Sequence, residues 1–411
     1  MMRTLASVLA FLGLVSSSAA QGGDYYSVLG LGDHRRQIGA LYDGMAGTSI
    51  AMPMMHGINL TNPALAGMSP LTRLQVGYRF DQHQVSNASR SIAQNNGGVD
   101  GIMALFGVDT ALGIGITFGL EPYTSVDYSV TKNLRTYVDG DTIIAASLRR
   151  GQGGISSIVF GASARVFGRL FAGFTVRSLV GTITMDDDVI ALGQGNYDAE
   201  QRTSHDLRGM IASGGLYWEV TPSIGIGAFI SGGSDASVRT TNQARGIRPG
   251  SISYDSTQTK AFTTTLPFSY GLGASWRSGR TLLGADVEAA DYTGMTVNVP
   301  STVSFGSSLR ASLGATYLGS RVAGATFGER VGYSAGLAYE RSSFTFRGQP
   351  LTEVAAALGT NFPLGNAAMI DVGVNIGQRT SDAEGALQDL FGRLVVTVSI
   401  GEQWFRPFAR D

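Results

Sequence analysis

The chain of 411 residues contains no cysteine, which removes thiol nucleophiles, disulfides and thiolate metal sites. Histidine, the commonest general acid or base, occurs four times, as His34, His56, His83 and His205. None lies in an H-E-x-x-H pattern, and no serine is singled out as the partner a hydrolase would need. The expectation is no catalytic residue, no metal and no cofactor. Asp186-Asp187-Asp188 is a run of carboxylates. A hydrated loop face accounts for it better than a cation site does.

What chemistry remains is binding chemistry. Met52, Met54 and Met55 cluster around Pro53. Methionine is adaptable and apolar, so the cluster either lines a pocket for varied lipids or fills space inside the fold. Glu121-Pro122 interrupts an otherwise strand-like stretch, GIGITFGLEPYTSVDYSV. Proline cannot donate to a ladder, so the break is either a window in a sheet or a simple bulge. Arg73, Arg79, Arg165, Arg177 and Arg310 share the polar sides of their strands with Asp286, Glu288, Glu340 and Asp371. An arginine there could hold a substrate carboxylate in bidentate fashion, or the set could pair with itself.

The elements that must position these residues follow from periodicity. From Leu71 the chain alternates, with Leu74, Val76, Tyr78 and Phe80 on one side and Arg73, Gln75, Gly77 and Arg79 on the other. That is a strand with one apolar and one polar face. With this one included there are about fourteen such segments, among them 101–108, 111–130, 156–166, 170–182, 268–276, 281–292 and 392–401. In the last, Leu394, Val396, Val398 and Ile400 face one way, and Arg393, Val395, Thr397 and Ser399 the other. Tight connections at 108–110, 168–169, 219–222, 277–280 and 365–367 alternate with long polar stretches at 83–98, 131–155, 185–205, 239–265 and 293–307. Short turns at one end and long loops at the other are the habit of outer-membrane barrels. The connection 319–329 is longer than that habit predicts for its end. Aromatic residues near strand ends, including Tyr78, Tyr128, Trp276, Tyr292, Tyr317, Tyr339, Trp404 and Phe405, fit interfacial girdles.

Composition agrees. Charged residues are 15% and hydrophobic residues 43%, yet no segment after residue 20 has the roughly 18 apolar residues of a membrane helix. A spanning chain without helices must be a closed barrel, because backbone groups in lipid need internal partners. A net charge of -1 gives no reason to expect nucleic acid. Residues 1–20 read as a secretory signal: Arg3, an apolar run from Leu5 to Val15, then Ser18 and Ala20 before Gln21. Residues 21–70, Gly-, Met- and Pro-rich without a regular period, read as a plug, and 71–411 as an all-β, antiparallel transmembrane barrel around it. Export plus a barrel points to the outer membrane of a Gram-negative cell.

Gly44-Met45-Ala46-Gly47, Asn62-Pro63-Ala64-Leu65, the segment Leu120 to Val126, Gly271-Leu272-Gly273, Gly284-Ala285-Asp286 with Asp291-Tyr292, Gly377-Gln378-Arg379 and Trp404-Phe405 run through nearly the whole chain in order. In these the chain resembles the FadL-like outer-membrane family of long-chain fatty acid and hydrocarbon transporters. The resemblance implies fourteen strands, an N-terminal hatch and a kink in strand three that opens sideways. It also implies passive uptake of hydrophobic compounds by hatch movement and lateral diffusion. Met52, Met54, Met55, Asn62, Pro63, Glu121, Pro122, Arg73 and Arg79 are the expected binding and gating residues. The expected partners are hydrophobic small molecules, outer-membrane lipid and, during biogenesis, the barrel-assembly machinery. Some FadL-like barrels serve secretion or surface attachment, which is the rival expectation. The chain ends on Phe408-Ala409-Arg410-Asp411, so the usual terminal aromatic insertion signal is displaced inward.

Overall fold

The computed structural model describes residues 25–28, 30–35, 39–54, 56–87, 91–138, 141–192, 198–248, 251–296, 303–364 and 368–404. The signal-peptide reading of 1–20 and the role given to Met55 and Phe405 lie outside the described residues.

Fourteen antiparallel strands follow one another around a ring. They are β1 (Thr72–Ser86), β2 (Ser91–Asp109), β3 (Ile114–Val138), β4 (Asp141–Phe167), β5 (Leu170–Leu192) and β6 (Asp198–Thr221). Next come β7 (Ile224–Gly233 continued by Asp235–Arg248), β8 (Ser251–Thr265 continued by Phe268–Ser278), β9 (Thr281–Asp291) and β10 (Val303–Phe305 continued by Ser307–Tyr317). The last four are β11 (Gly332–Phe346), β12 (Gln349–Leu364), β13 (Ala368–Thr380) and β14 (Gln388–Glu402). Leu394 and Ile400 of β14 lie opposite Phe80 and Leu74 of β1, which closes the cylinder. The interruption in β8 falls at Leu266-Pro267, where proline has no N–H to give the ladder.

Strand periodicity sorts the side chains. Leu74, Val76 and Tyr78 are exposed on the outer wall while Arg73, Gln75 and Arg79 are buried inside. Val395, Thr397 and Ser399 likewise face in, with Val398 and Ile400 out. Tyr128 breaks the expectation. The register slips between Pro122 and Thr124, so one extra residue reverses the alternation beyond it. Tyr128 therefore points inward, 6% exposed, and belongs to no outer girdle.

The long polar stretches are also not loops. Most of 83–98, 131–155, 185–205 and 239–265 is strand, so β3 to β8 rise well beyond the apolar band as a tall polar wall. Above that band neither face needs apolar residues, so the alternation that marks a strand disappears while the ladder continues. Asp186, Asp187 and Asp188 sit on this wall in β5, facing Arg202, Arg149 and Arg150 as ion pairs of 2.7–2.8 Å. At the opposite end, the long connection before β11 is organised by α2 (Phe327–Arg330), with a capping box between Thr326 and Glu329.

Residues 39–54 and 56–68 fill the inside. The segment α1 (Ala40–Asp43) and a 3-10 helix (Pro63–Met68) are its regular parts. Asn62 caps the latter by accepting from the Ala64 N–H, and Pro63 occupies the first turn, where a missing N–H costs nothing. A girdle of inward glycines seats this segment. A Cβ at Gly115 of β3 would stand 2.5 Å from the Ala66 carbonyl oxygen, and one at Gly173 of β5 equally close to Pro63. At Gly215 of β6, Gly273 of β8, Gly314 of β10 and Gly373 of β13 it would come within 2.7–2.8 Å of Pro63, Ile50, Thr48 and Ala40. These glycines are often direct cross-strand partners, as with Gly173 and Gly215, Gly284 and Gly314, and Gly314 and Gly336. A segment that touches strands all the way round lies within the cylinder. Its backbone approaches the wall so closely that side chains are excluded.

Candidate functional site

The ladder between β2 and β3 is incomplete. Its pairs run from Asp109 opposite Ile114 up to Ile102 opposite Leu120, and among the described residues there are none beyond. β2 continues to pair with β1 as far as Ser91, and β3 with β4 as far as Val138. The two strands therefore part above Leu120, leaving a seam in the wall. Bulges flank the point of separation. In β2 the register slips at Asp100, since Gly77 pairs with Gly101 and Tyr78 with Val99. In β3 it slips at Tyr123. Pro122 is thus where the sequence places a break, paired with Ser156 of β4 but with no partner toward β2.

The seam is not empty. Asp33 and His34 run antiparallel to Ser125 and Thr124, and the Arg35 N–H donates to the Tyr123 carbonyl at 2.9 Å. The Gln94 side-chain amide reaches across to the Ser129 carbonyl at 2.9 Å. The His34 ring meets Tyr123 edge-on at 4.7 Å. A short N-terminal strap thus lines part of the free edge of β3 from within.

Ion pairs fasten strap and plug to the wall. Asp100, fully buried, accepts from the Arg79 Nε at 2.7 Å and from the Gly39 N–H at 3.0 Å, with an Arg35 Nη at 3.8 Å. Arg79 also meets Asp43 at 3.2 Å. Asp286 accepts from the Ser49 and Ile50 N–H groups at 2.6 and 2.9 Å. Arg379 bridges Glu353 and Asp33. The Asn62 amide donates to the carbonyls of Ile50 and Leu216, tying plug to plug and plug to β6.

The expected site residues therefore separate. Glu121 and Pro122 stand at the seam, but Glu121 faces in and is held by Ser157 at 3.0 Å and Arg177 at 2.9 Å. Arg177 also donates to the Leu60 carbonyl, so it too serves the plug. Arg79 is committed to Asp100 and Asp43. Arg73 is buried near Ser399 at the other end of β1. Of the two open readings, the pairings of Arg79 and Arg177 fit the self-paired network. Met52 and Met54 are packed with Leu41, Tyr42, Met45 and Leu282, Met52 against Gly284. Met52 fills space in that cluster, and Met54, with Pro53, Met68, Tyr217 and Leu282, also lines a cavity at the foot of β6 to β9. His56, also in the plug, is buried, and burial together with Arg73 and Arg321 lowers its pKa to about 3.

The apolar lining lies elsewhere. Leu31 of the strap packs with Val126 and Tyr128 of β3, Ile155 of β4, Leu179 and Ile183 of β5, and Leu207 and Ile211 of β6. This inner wall adjoins the seam. Sequence reading did not single out Asp100, Asp43 or Leu31, and it named Asp286 only among the inward charges, without its plug partners. Asp100 offers one signal, a carboxylate at the place where the alternation of β2 changes sides. The others carry none, because their partners are far away in the chain.

A family model described as BamG matches residues 1–408. Among curated proteins nothing matches. The fold resembles that of the Ralstonia pickettii toluene transporter TbuX, with a TM-score of 0.60 at 14% identity, over 88% of this chain and 97% of that one. It resembles a Pseudomonas aeruginosa FadL homologue with a TM-score of 0.60 at 10% identity, over 90% and 99%. For the Pseudomonas putida toluene transporter TodX the values are 0.59 and 14%, over 90% and 99%. At such identities the likeness establishes the FadL-type barrel and leaves substrate to be argued from the site.

Proposed function

Since the chain belongs to the BamG family and is folded as a FadL-type barrel, we propose that it is an outer-membrane barrel that takes up hydrophobic compounds and releases them sideways through the seam between β2 and β3. The observation that carries this reading is the ladder that stops at Ile102 and Leu120 beside an apolar inner wall. A compound entering from the tall end meets Val126, Tyr128 and Ile155 before it meets the charged layer over the plug. Because Arg79, Arg177 and Arg379 pair with carboxylates or backbone carbonyls, recognition rests on apolar contact. Uncharged hydrocarbons and aromatics therefore fit better than free fatty acids. TbuX and TodX are described as toluene transporters, which is the same class of compound.

Uptake of radiolabelled toluene and of a labelled fatty acid, in cells with and without the gene, tests this. Toluene uptake should fall several-fold on deletion and fatty-acid uptake much less. Pro122→Val, which supplies an N–H, should slow toluene entry in a barrel that still folds. Equal toluene rates in all three strains would remove the reading.

The family match favours a second one. The name BamG groups the chain with barrel-assembly components, and a filled, latched barrel can dock to a partner without conducting anything. Purification in mild detergent separates the two. A stoichiometric complex with the assembly machine, with uptake indifferent to Pro122→Val, belongs to the second reading alone.

A further inference from the structure

Below the girdle of glycines that seats the plug, the inward positions change character toward the short turns. On β6 Gly215 is followed by Tyr217 and then Glu219, and on β8 Gly273 is followed by Ser275 and then Arg277. On β9 the inward position below Gly284 is Leu282, and on β7 the one below Gly227 is Gly225. Two corners of the plug stand at this level. Met54 closes a tight turn by donating its N–H to the Met52 carbonyl at 3.0 Å, and Met68 ends the 3-10 helix. Between these corners and the wall lies a cavity of about 210 Å³.

Its lining is layered. Pro53, Met54, Met68 and Leu282 supply apolar surface, and Tyr217 joins them with its hydroxyl bonded to Ser275. Gly225 makes room for that hydroxyl, since a Cβ there would strike both it and the Ser275 Oγ. Glu219, Arg277, Thr221 and Ser223 complete the lining nearer the turns. Apolar walls with a few placed polar groups are the form of a small-molecule site. Size narrows the occupant. An apolar cavity of roughly 150 Å³ holds benzene, so this one has room for a single substituted ring. Methionine sulfur and a tyrosine ring both make favourable contacts with an aromatic ring, and methionine adapts to its substituents.

We infer that this cavity is a binding site for an uncharged one-ring aromatic compound, reached from the short-turn end, which outer-membrane barrels direct to the periplasm. The ring would lie among Met54, Met68 and Leu282, with its edge toward Tyr217. The site goes beyond release through the seam, which lies between β2 and β3. It rests on the outer-membrane barrel reading alone.

The test uses the full-length folded barrel in non-ionic detergent, with fluorobenzene as the probe and fluorine NMR as the readout. Wild type should give a saturable bound signal that toluene displaces, over and above that of protein-free micelles. Met54→Trp, which fills the cavity, should bind at least tenfold more weakly. Because the chain has no cysteine, Ser275→Cys offers a second, reversible block. It should bind fluorobenzene, lose the signal when benzyl methanethiosulfonate modifies the thiol, and regain it on reduction with dithiothreitol. Heat-modifiable gel mobility checks that every form is folded. Pro122→Val alters the seam and should bind as wild type does. Absence of a saturable signal, or equal binding by the blocked and reduced forms, would overturn the site. Binding lost in Pro122→Val but kept in the blocked form would also overturn it, in favour of the apolar wall beside the seam. Toluene uptake indifferent to Pro122→Val, with the reversible block intact, would remove sideways release and leave this cavity standing.

Discussion

Asp100 does more for the arrangement than any residue the alternation pattern highlights. A bulge turns it inward, and its carboxylate then takes a hydrogen bond from the first plug residue, Gly39, and one from Arg79. Asp100→Asn removes the carboxylate nearest to the buried Arg79 guanidinium, and breaking such a pair costs about 3–5 kcal/mol. The heat-modification midpoint of the detergent-solubilised barrel should drop, with strand content by circular dichroism unchanged at low temperature. His56 supplies a pH dependence. Its folded pKa is lowered to about 3 from an ordinary 6.5 by burial, then by Arg73 and Arg321. Between those values the unfolded chain binds a proton that the folded chain refuses, so stability falls as pH falls through that window. The midpoint difference between pH 7 and pH 4 should be smaller in His56→Gln than in wild type. Identical differences would show that His56 is not buried in neutral form.

At the scale of elements, the plug and the girdle are one construction. Inward strand glycines such as Gly173, Gly215, Gly314 and Gly336 are a cost to strand stability, offset here by the close seating they permit. Gly336→Leu would drive a side chain into Met45 and Ala46, where the backbone leaves no room. We expect little folded barrel from this variant. Leu337→Ala, an exposed outward neighbour on the same strand, should fold normally, as judged by heat-modifiable mobility. The strap differs from the plug. It is held by one short pairing with β3, by Asp33 to Arg379, by Arg35 to Asp81 and Asp100, and by Leu31 in the apolar lining.

Seen whole, the molecule is lopsided. β3 to β8 form a high wall, whereas β9 has only Thr281–Asp291 and β10 little more. The seam opens at one margin of the high wall, and the apolar inner lining climbs the same side. Seam and lining therefore share a sector of the cylinder, and much of the charged anchoring of the plug lies on the remaining strands. Either proposed role uses this asymmetry, transport through the seam or docking along the wall.

The sequence determined the barrel, its strand number and the break at Pro122. Those depend on local alternation and on a residue that cannot donate, both visible without knowing any neighbour. The tall wall was misread as loops because alternation reports lipid on one face, and above the membrane there is none. Tyr128 was misassigned because one extra residue at Tyr123 reverses every position after it, and nothing local marks the slip. Only the closed structure decided which carboxylates Arg79 and Arg177 meet, that Met52 packs against Gly284, and that glycines far apart in the chain meet in one ring. Such facts belong to pairs of residues from different strands, and closure alone brings those pairs together.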